Sequence, residues 1–168
     1  MRETEPEIDA LQRMLDATIA RGNPHMVSIV TPEHRLTAKQ IVRYLVGTKH
    51  VAFATVTRAG APRVSPLDAL FIHGRFTMGT GGEASRLANL RANPECSAVH
   101  MDGERIAVTV NGRVEWIERG HPDHDEILEV WRSTYGSDPY SWGGTVVFFR
   151  IEPASMWTFA LHPAEFPE

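Results

Sequence analysis

The sequence predicts a mainly β fold with flanking helices, built as a barrel or a strongly curved sheet. Three observations lead to this prediction. The hydrophobic pattern changes from a helical period before residue 47 to an alternating period from Val51 onward. The later segments are short and rich in β-branched and aromatic residues, and turn sequences separate them. Sequential antiparallel strands with short connections favour closure into a barrel.

Size and composition limit the possible functions. A chain of 168 residues with 42% hydrophobic residues can bury its own core, so we expect a single domain over residues 1–168. The net charge of −4 argues against a nucleic-acid partner. Cys96 is the only cysteine, which excludes an intrachain disulfide and is typical of a cytoplasmic protein. No apolar run reaches the roughly 20 residues of a membrane span, so no membrane partner is predicted.

Helices are predicted before and between the strands. The first two form an N-terminal helical extension over residues 1–47, joined by a proline-containing arm at residues 23–34. Each begins with a possible capping box, in which a threonine precedes an acid or amide by three residues. These pairs are Thr4 with Glu7 and Thr37 with Gln40. A later helix is expected to begin at Pro122 and to end at Gly136.

The strands are predicted within a barrel core at residues 48–162. About seven segments have strand character. They cover residues 51–57, 63–73, 76–80, 96–101, 105–119, 145–153 and 155–161. Pro66 cannot donate to a β-ladder, so we expect it at an edge, bulge or bend. The Asn111-Gly112 pair indicates a hairpin or a bulge.

A glycine-rich segment, residues 79–82, is predicted to be a loop that leads into a short helix near Ser85. Helix N-termini offer free N–H groups and a partial positive charge, and both attract anions. Ser85 adds a hydroxyl group and Arg86 a guanidinium, so the segment suits a phosphate. Arg63 on the second strand could bind the same anion. The alternative is an ordinary turn with Ser85 as N-cap and Arg86 in solvent.

Other motifs are weaker. His121 and His124 are three residues apart, which is a possible metal-ligand spacing, but no second cluster of ligands accompanies them. No metal site is therefore predicted. The chain has no nucleophile elbow, P-loop or dinucleotide fingerprint. One or two of the four tryptophans could stack on a planar cofactor, but their spacing does not identify which.

Taken together, several segments resemble the pyridoxamine 5′-phosphate oxidase-like family over roughly residues 40–160. They are VAFATVTRAGAPRVSPLDAL, GRFTMGTGGEASRLANLRANPECSAVH, AVTVNGRVEWIE and FRIEPASMWTF. The resemblance implies a split β-barrel and a homodimer with FMN at the subunit interface. A deazaflavin coenzyme or haem is the alternative cofactor. It further implies an oxidoreductase that transfers hydride to or from a small molecule. The alternative function is a non-catalytic flavin- or haem-binding or storage protein.

The resemblance also assigns cofactor contacts to particular residues. Three residues of the second strand would line the flavin: Arg63, Val64 and Ser65. Three residues at the end of the third strand would contact the ring or the ribityl chain: Met78, Gly79 and Thr80. Ser85 and Arg86 would bind the phosphate, and Trp157 of the partner subunit would lie at the rim of the site. No catalytic side chain is assigned, since in such proteins the cofactor carries the reactive atom.

The chain departs from the family pattern at two positions. Relatives often have a lysine directly after the Ser-Arg pair, where this chain has Leu87. The oxidase also has a lysine where this chain has Asp68. Charge-assisted phosphate contacts are about twice as strong as neutral ones, so FMN phosphate should bind more weakly by a few kcal/mol. These departures, with a loop one residue longer, disfavour true pyridoxamine phosphate oxidase activity.

Overall fold

The computed structural model describes residues 2–168, and in it six antiparallel strands close into one barrel. The strands are β1 (Lys49–Val56), β2 (Pro62–Ile72), β3 (Arg75–Gly81), β4 (Glu95–Asp102), β5 (Ile106–Ile117) and β6 (Val146–Ala160). Their order around the barrel is β1-β2-β3-β6-β5-β4, and pairing of β1 with β4 completes the closure. The predicted mainly β barrel with flanking helices is confirmed.

In the described part of the chain, five α-helices flank the barrel. They are α1 (Glu5–Ala20), α2 (Pro24–Ile29), α3 (Ala38–Tyr44), α4 (Ser85–Ala92) and α5 (His124–Tyr135). Both predicted capping boxes form, at the starts of α1 and α3. The predicted connecting arm is partly wrong, because it contains α2, whose first turn is capped by the Asn23 side chain. Within residues 2–168, no helix combines the length and apolarity that crossing a membrane requires.

The hydrophobic core has two parts. Phe53 and Phe76 are at most 1% exposed and lie inside the barrel, in a cluster that α1 and α3 also join. The second part lies on the outer face, where α5 packs Ile127 and Trp131 against Phe148. Helix α5 is therefore fixed against the outside of β6, beside the end of β3.

β6 is one strand where the sequence predicted two. Its register against β5 shifts between Asn111 and Gly112, and this shift leaves Ala154 as an extra residue in a β-bulge. A Cβ atom on Gly112 would collide with the carbonyl oxygen of Glu152, so only glycine fits at this bend. The bulge absorbs the irregular residue without ending the strand. The Asn111-Gly112 pair thus marks a bulge, one of its two predicted outcomes.

The glycine-rich segment is mostly strand and not loop. β3 continues to Gly81, since Gly79 to Gly81 pair with Phe148 to Val146 of β6. Only residues 82–84 form the connection to α4. A Cβ atom on Gly79 would lie 3.0 Å from the Phe148 ring and 3.4 Å from the Trp131 ring. The missing side chain at Gly79 thus lets aromatic rings pack closely against the strand.

β2 and β3 separate along their length. They pair only from Ala69 with Met78 to Ile72 with Arg75, next to the turn that joins them. Residues 62–68 of β2 pair with β1 on one side and have no strand partner on the other. Pro66 lies in this edge segment, as its lack of an N–H group predicts. The barrel therefore has a gap between the first half of β2 and the end of β3, which we call the split.

Candidate functional site at the split between two strands

Arg86 spans the split. It is the second residue of α4, and its Nε donates a hydrogen bond of 3.3 Å to Ser65 Oγ on β2. Its Nη1 donates a hydrogen bond of 2.6 Å to Thr80 Oγ1 on β3. Thr80 is buried, and Ser65 and Arg86 are half-buried. Three residues that the sequence assigned to one site thus lie in direct contact, and we call them the Arg86 cluster.

The Arg86 cluster carries an uncompensated positive charge. None of the salt bridges in residues 2–168 involves Arg86. Burial lowers the pKa of its guanidinium, because desolvation disfavours the charged form. A guanidinium nevertheless stays charged at neutral pH. A partly desolvated cation held by two hydroxyl groups is suited to an anion, whose oxygens accept stronger hydrogen bonds than hydroxyls do.

The start of α4 lies beside the Arg86 cluster. Ala84 is the N-cap of this helix and Ser85 its first residue, so the alternative that Ser85 serves as N-cap is wrong. The Ser85 side chain is exposed and makes no hydrogen bond to any other residue of the described chain. The first N–H groups of a helix lack intrahelical partners and attract anions. The Leu87 N–H donates to the Ala84 carbonyl oxygen, so the Ser85 hydroxyl and the N–H groups of Ser85 and Arg86 are the donors available to a ligand at the split.

The remaining predicted residues of β2 lie along its unpaired edge. Arg63 is exposed, and its Nη1 donates to the carbonyl oxygen of Pro62 at 2.9 Å. Val64 is 67% exposed, which is unusual for a large apolar side chain in a strand. Neither side chain joins the Arg86 cluster in this structure. Their position leaves both free to contact a ligand or a second subunit.

Met78 and Trp157 lie away from the Arg86 cluster. Met78 is fully buried in the barrel, so only its backbone is within reach of a ligand at the split. Trp157 lies on β6, ten residues beyond the Val147 that pairs with Thr80, which is about 30 Å along a strand. Its ring packs on Gly22 at the end of α1. Within one subunit Trp157 does not line the site, and its contribution from a partner stays a prediction.

Leu87 shows why one of the expected lysines is missing. Successive helical residues point about 100° apart, so Arg86 faces the split while Leu87 faces the barrel interior. Leu87 is 1% exposed and belongs to the main hydrophobic core. A lysine at this position would place its ammonium group among apolar side chains. In this chain, packing and not ligand binding determines the residue at position 87.

Asp68 lies on the outer side of the split, in a groove that sequence reasoning missed. Its Oδ1 accepts a hydrogen bond of 2.8 Å from His50 Nδ1, and its Oδ2 accepts one of 3.1 Å from the Tyr135 hydroxyl. Burial raises the pKa of Tyr135, and the negative charge of Asp68 acts in the same direction, so the phenol stays protonated and donates.

The groove has a volume of about 410 Å³. We call it the aromatic groove and define it by six lining residues: His50, Asp68, Gly79, Trp131, Tyr135 and Trp142. The spacing of Trp131 and Tyr135, four residues apart on α5, is the one sequence signal that could have indicated it.

The two histidines considered as metal ligands have other partners. His121 contacts Glu115 at 3.2 Å, while His124 is turned towards Tyr140 and Asp125. Glu115 also accepts a hydrogen bond of 2.6 Å from Arg150, which is 5% exposed. Hydrogen bonding to this arginine lowers the pKa of Glu115. These contacts hold the loop before α5 against β5 and β6.

Comparisons with known proteins agree with this geometry. A conserved hypothetical protein from Mycobacterium tuberculosis superposes with a TM-score of 0.67 and 18% identity, covering 82% of this chain and 93% of its own. The haem storage protein HutZ from Vibrio cholerae superposes with a TM-score of 0.60 and 20% identity. The match covers 73% of this chain and 90% of HutZ. An FAD-binding protein from Mesorhizobium loti superposes with a TM-score of 0.57 and 22% identity. The match covers 73% of this chain and 94% of that protein. At such identities these likenesses show the fold alone.

Among curated protein sequences, none matches this chain. The sequence model described as pyridoxamine 5′-phosphate oxidase matches residues 37–160, which include all six strands and the Arg86 cluster. The chain therefore belongs to the pyridoxamine 5′-phosphate oxidase family, and its fold is the split β-barrel of that family.

Proposed function

We propose that the protein binds FMN at the split and acts as a small-molecule oxidoreductase. The observation that carries the proposal is the Arg86 cluster, a half-buried cation bridging two strands without an acidic partner. Cations buried without a counter-ion are costly unless a ligand compensates them. The phosphate of FMN supplies the missing negative charge, and a neutral ligand would not.

The residues present fit an FMN phosphate. Arg86 can donate to its oxygens from one side, and the exposed Ser85 hydroxyl and the first turn of α4 from another. The Ser65 and Thr80 hydroxyls orient the guanidinium, which fixes the direction of its donors. When bound, the flavin supplies hydride transfer, while the protein supplies position and electrostatics. The unpaired edge of β2 offers backbone hydrogen-bonding groups along the remaining length of the cofactor.

The proposal includes a homodimer. Val64 is 67% exposed on an edge without a strand partner, and a second subunit would cover both features. The cofactor would then lie between the subunits, with Trp157 of the second copy at the rim of the site. Light scattering after size exclusion tests this assembly directly. A monomer at micromolar concentration, with or without FMN, would contradict the dimer.

The deciding experiment is an absorbance spectrum of the freshly purified protein, followed by titration with FMN. Parallel titrations use riboflavin, a deazaflavin coenzyme and haem. We expect FMN to bind in preference to riboflavin, because only FMN has the phosphate that Arg86 requires. A colourless protein that takes up neither FMN nor deazaflavin refutes the proposal.

The same titrations test the non-catalytic alternative. The similarity to an FAD-binding protein and to a haem storage protein supports both flavin and haem as ligands that this fold can bind. Turnover of reduced nicotinamide or reduced deazaflavin by the flavin-loaded protein supports an oxidoreductase. Stable uptake of FMN or haem without any turnover supports binding or storage.

A further inference from the structure

The aromatic groove has walls that are already assembled. Trp131 and Tyr135 stack with ring centres 5.2 Å apart and planes inclined by 14°. Trp142 meets Tyr135 edge to face at 5.2 Å and 72°. Trp142 is 45% exposed, and its indole Nε1 donates to Ser137 Oγ at 2.7 Å, which holds the exposed ring in place. Tyr135 and Trp142 thus present their rings to one open groove, whereas Trp131 is 3% exposed and supports Tyr135 from the core.

The charge of this groove comes from Asp68. Along the lining, which lies wholly within the described chain, Asp68 is the one carboxylate, and lysine and arginine are absent. The Asp68 side chain is 44% exposed and receives one hydrogen bond on each oxygen, from His50 and Tyr135. An ionised carboxylate has about four lone-pair sites, so Asp68 can still interact with a ligand.

The chemistry of the walls selects one class of ligand. The faces of tryptophan and tyrosine attract cations through the ring quadrupole, and aromatic cages are a known way to bind quaternary ammonium groups. A neighbouring carboxylate strengthens this attraction and repels anions. Gly79 lines the groove, and the next residue on β3, Thr80, belongs to the Arg86 cluster. A cation in the groove would therefore lie beside the proposed cofactor site.

We propose that the aromatic groove, with Asp68 as its counter-ion, binds an organic cation of the quaternary ammonium type. Its role as substrate rests on the proposed function, whereas its binding does not, since the groove is complete without a cofactor. Arg86 then attracts an anionic ligand, and Asp68 attracts a cationic one. The anionic phosphate binds at the inner side of the split, and the cation binds at the outer side.

The test is calorimetric titration of the purified protein with benzyltrimethylammonium. Benzyl alcohol and benzoate serve as neutral and anionic probes with the same ring. We expect the cation to bind about tenfold more tightly than either comparison probe. Asp68→Asn keeps a hydrogen-bond acceptor for Tyr135 and should weaken cation binding about fivefold or more. Trp142→Ala should weaken it at least about threefold. Glu104→Gln, which removes an exposed carboxylate in the turn between β4 and β5 and outside the groove lining, should leave it unchanged.

Two results would overturn the inference. The first is equal binding of the cation and benzyl alcohol, and the second is unchanged cation binding in Asp68→Asn. Repeating the titration with saturating FMN tests the substrate role. Retained affinity for the cation supports the substrate role. Loss of cation binding shows that the flavin ring fills the groove, and it overturns the substrate role. If FMN does not bind but the cation does, the proposed function fails while the groove inference stands.

Discussion

Replacing Arg86 by methionine tests the cofactor site most directly. The change keeps much of the side-chain length and removes the cation that bridges β2 and β3. A hydrogen bond to a charged group contributes about 1.5–3 kcal/mol. Arg86 is half-buried, so solvent screens part of its interaction with phosphate and we take about 2 kcal/mol. This corresponds to an FMN dissociation constant raised about 30-fold.

Riboflavin provides the internal comparison, because it shares the ring and ribityl chain of FMN but lacks the phosphate. Its affinity should change by less than about twofold in Arg86→Met. Fluorescence quenching of each flavin during titration measures both constants, and thermal unfolding confirms that the variant is folded. Arg43→Met, at an exposed arginine of α3, is the matched control. Equal weakening of FMN and riboflavin, or unchanged FMN binding, would refute the assignment of Arg86 to the phosphate.

Three further predictions concern stability. Leu87→Lys should lower the free energy of unfolding by about 4 kcal/mol without improving FMN affinity, because the ammonium would be buried; a stable variant that binds FMN more tightly would contradict this. Arg150→Met should lower the free energy of unfolding by about 2 kcal/mol at pH 7, since Glu115 and Asp123 both lose their arginine partner and both are only partly buried. Arg150 lowers the pKa of Glu115, so the stabilisation by this ion pair is complete above the ordinary carboxyl pKa and disappears as pH falls through the lowered value. Denaturation curves of the parent protein and Arg150→Met from pH 7 to pH 3 measure this dependence. A stability difference that stays constant over that range would argue against the ion pair. Gly112→Ala should lower the free energy of unfolding, measured by urea denaturation, by about 3 kcal/mol, because its Cβ would collide with the Glu152 carbonyl. A decrease under about 0.5 kcal/mol would show that the bulge adapts.

Local patterns predicted the fold well where a residue pattern has one physical meaning. The capping boxes of α1 and α3 and the edge position of Pro66 follow from backbone hydrogen-bonding rules. The end of β3 was mistaken for a loop, because three glycines in a short segment usually indicate a turn. Here the pairing with β6 and the close packing of Phe148 on Gly79 hold Gly79 and Gly81 in a strand, and only Gly82 lies in the connection. Such long-range pairing is not visible in a local pattern.

The cofactor site was predicted only in part, because contacts between distant segments are not visible in a local sequence pattern. Ser65, Thr80 and Arg86 were identified together because the family resemblance preserves their order along the chain. The aromatic groove was missed, since its residues come from β1, β2, β3, α5 and the loop after α5. The position of Leu87 also needed the structure. The sequence shows only that lysine is missing there, whereas the fold shows that the position faces the core.

The unpaired edge of β2 also bears on how the protein avoids self-association through its strands. An exposed strand edge can template the addition of another chain and so begin aggregation. Pro62 and Pro66 lie within the free segment, and neither has an N–H group to offer to an incoming strand. Arg63 between them adds a charge that opposes stacking of identical edges. The split can thus stay open to a ligand while its backbone resists the growth of a continuous sheet.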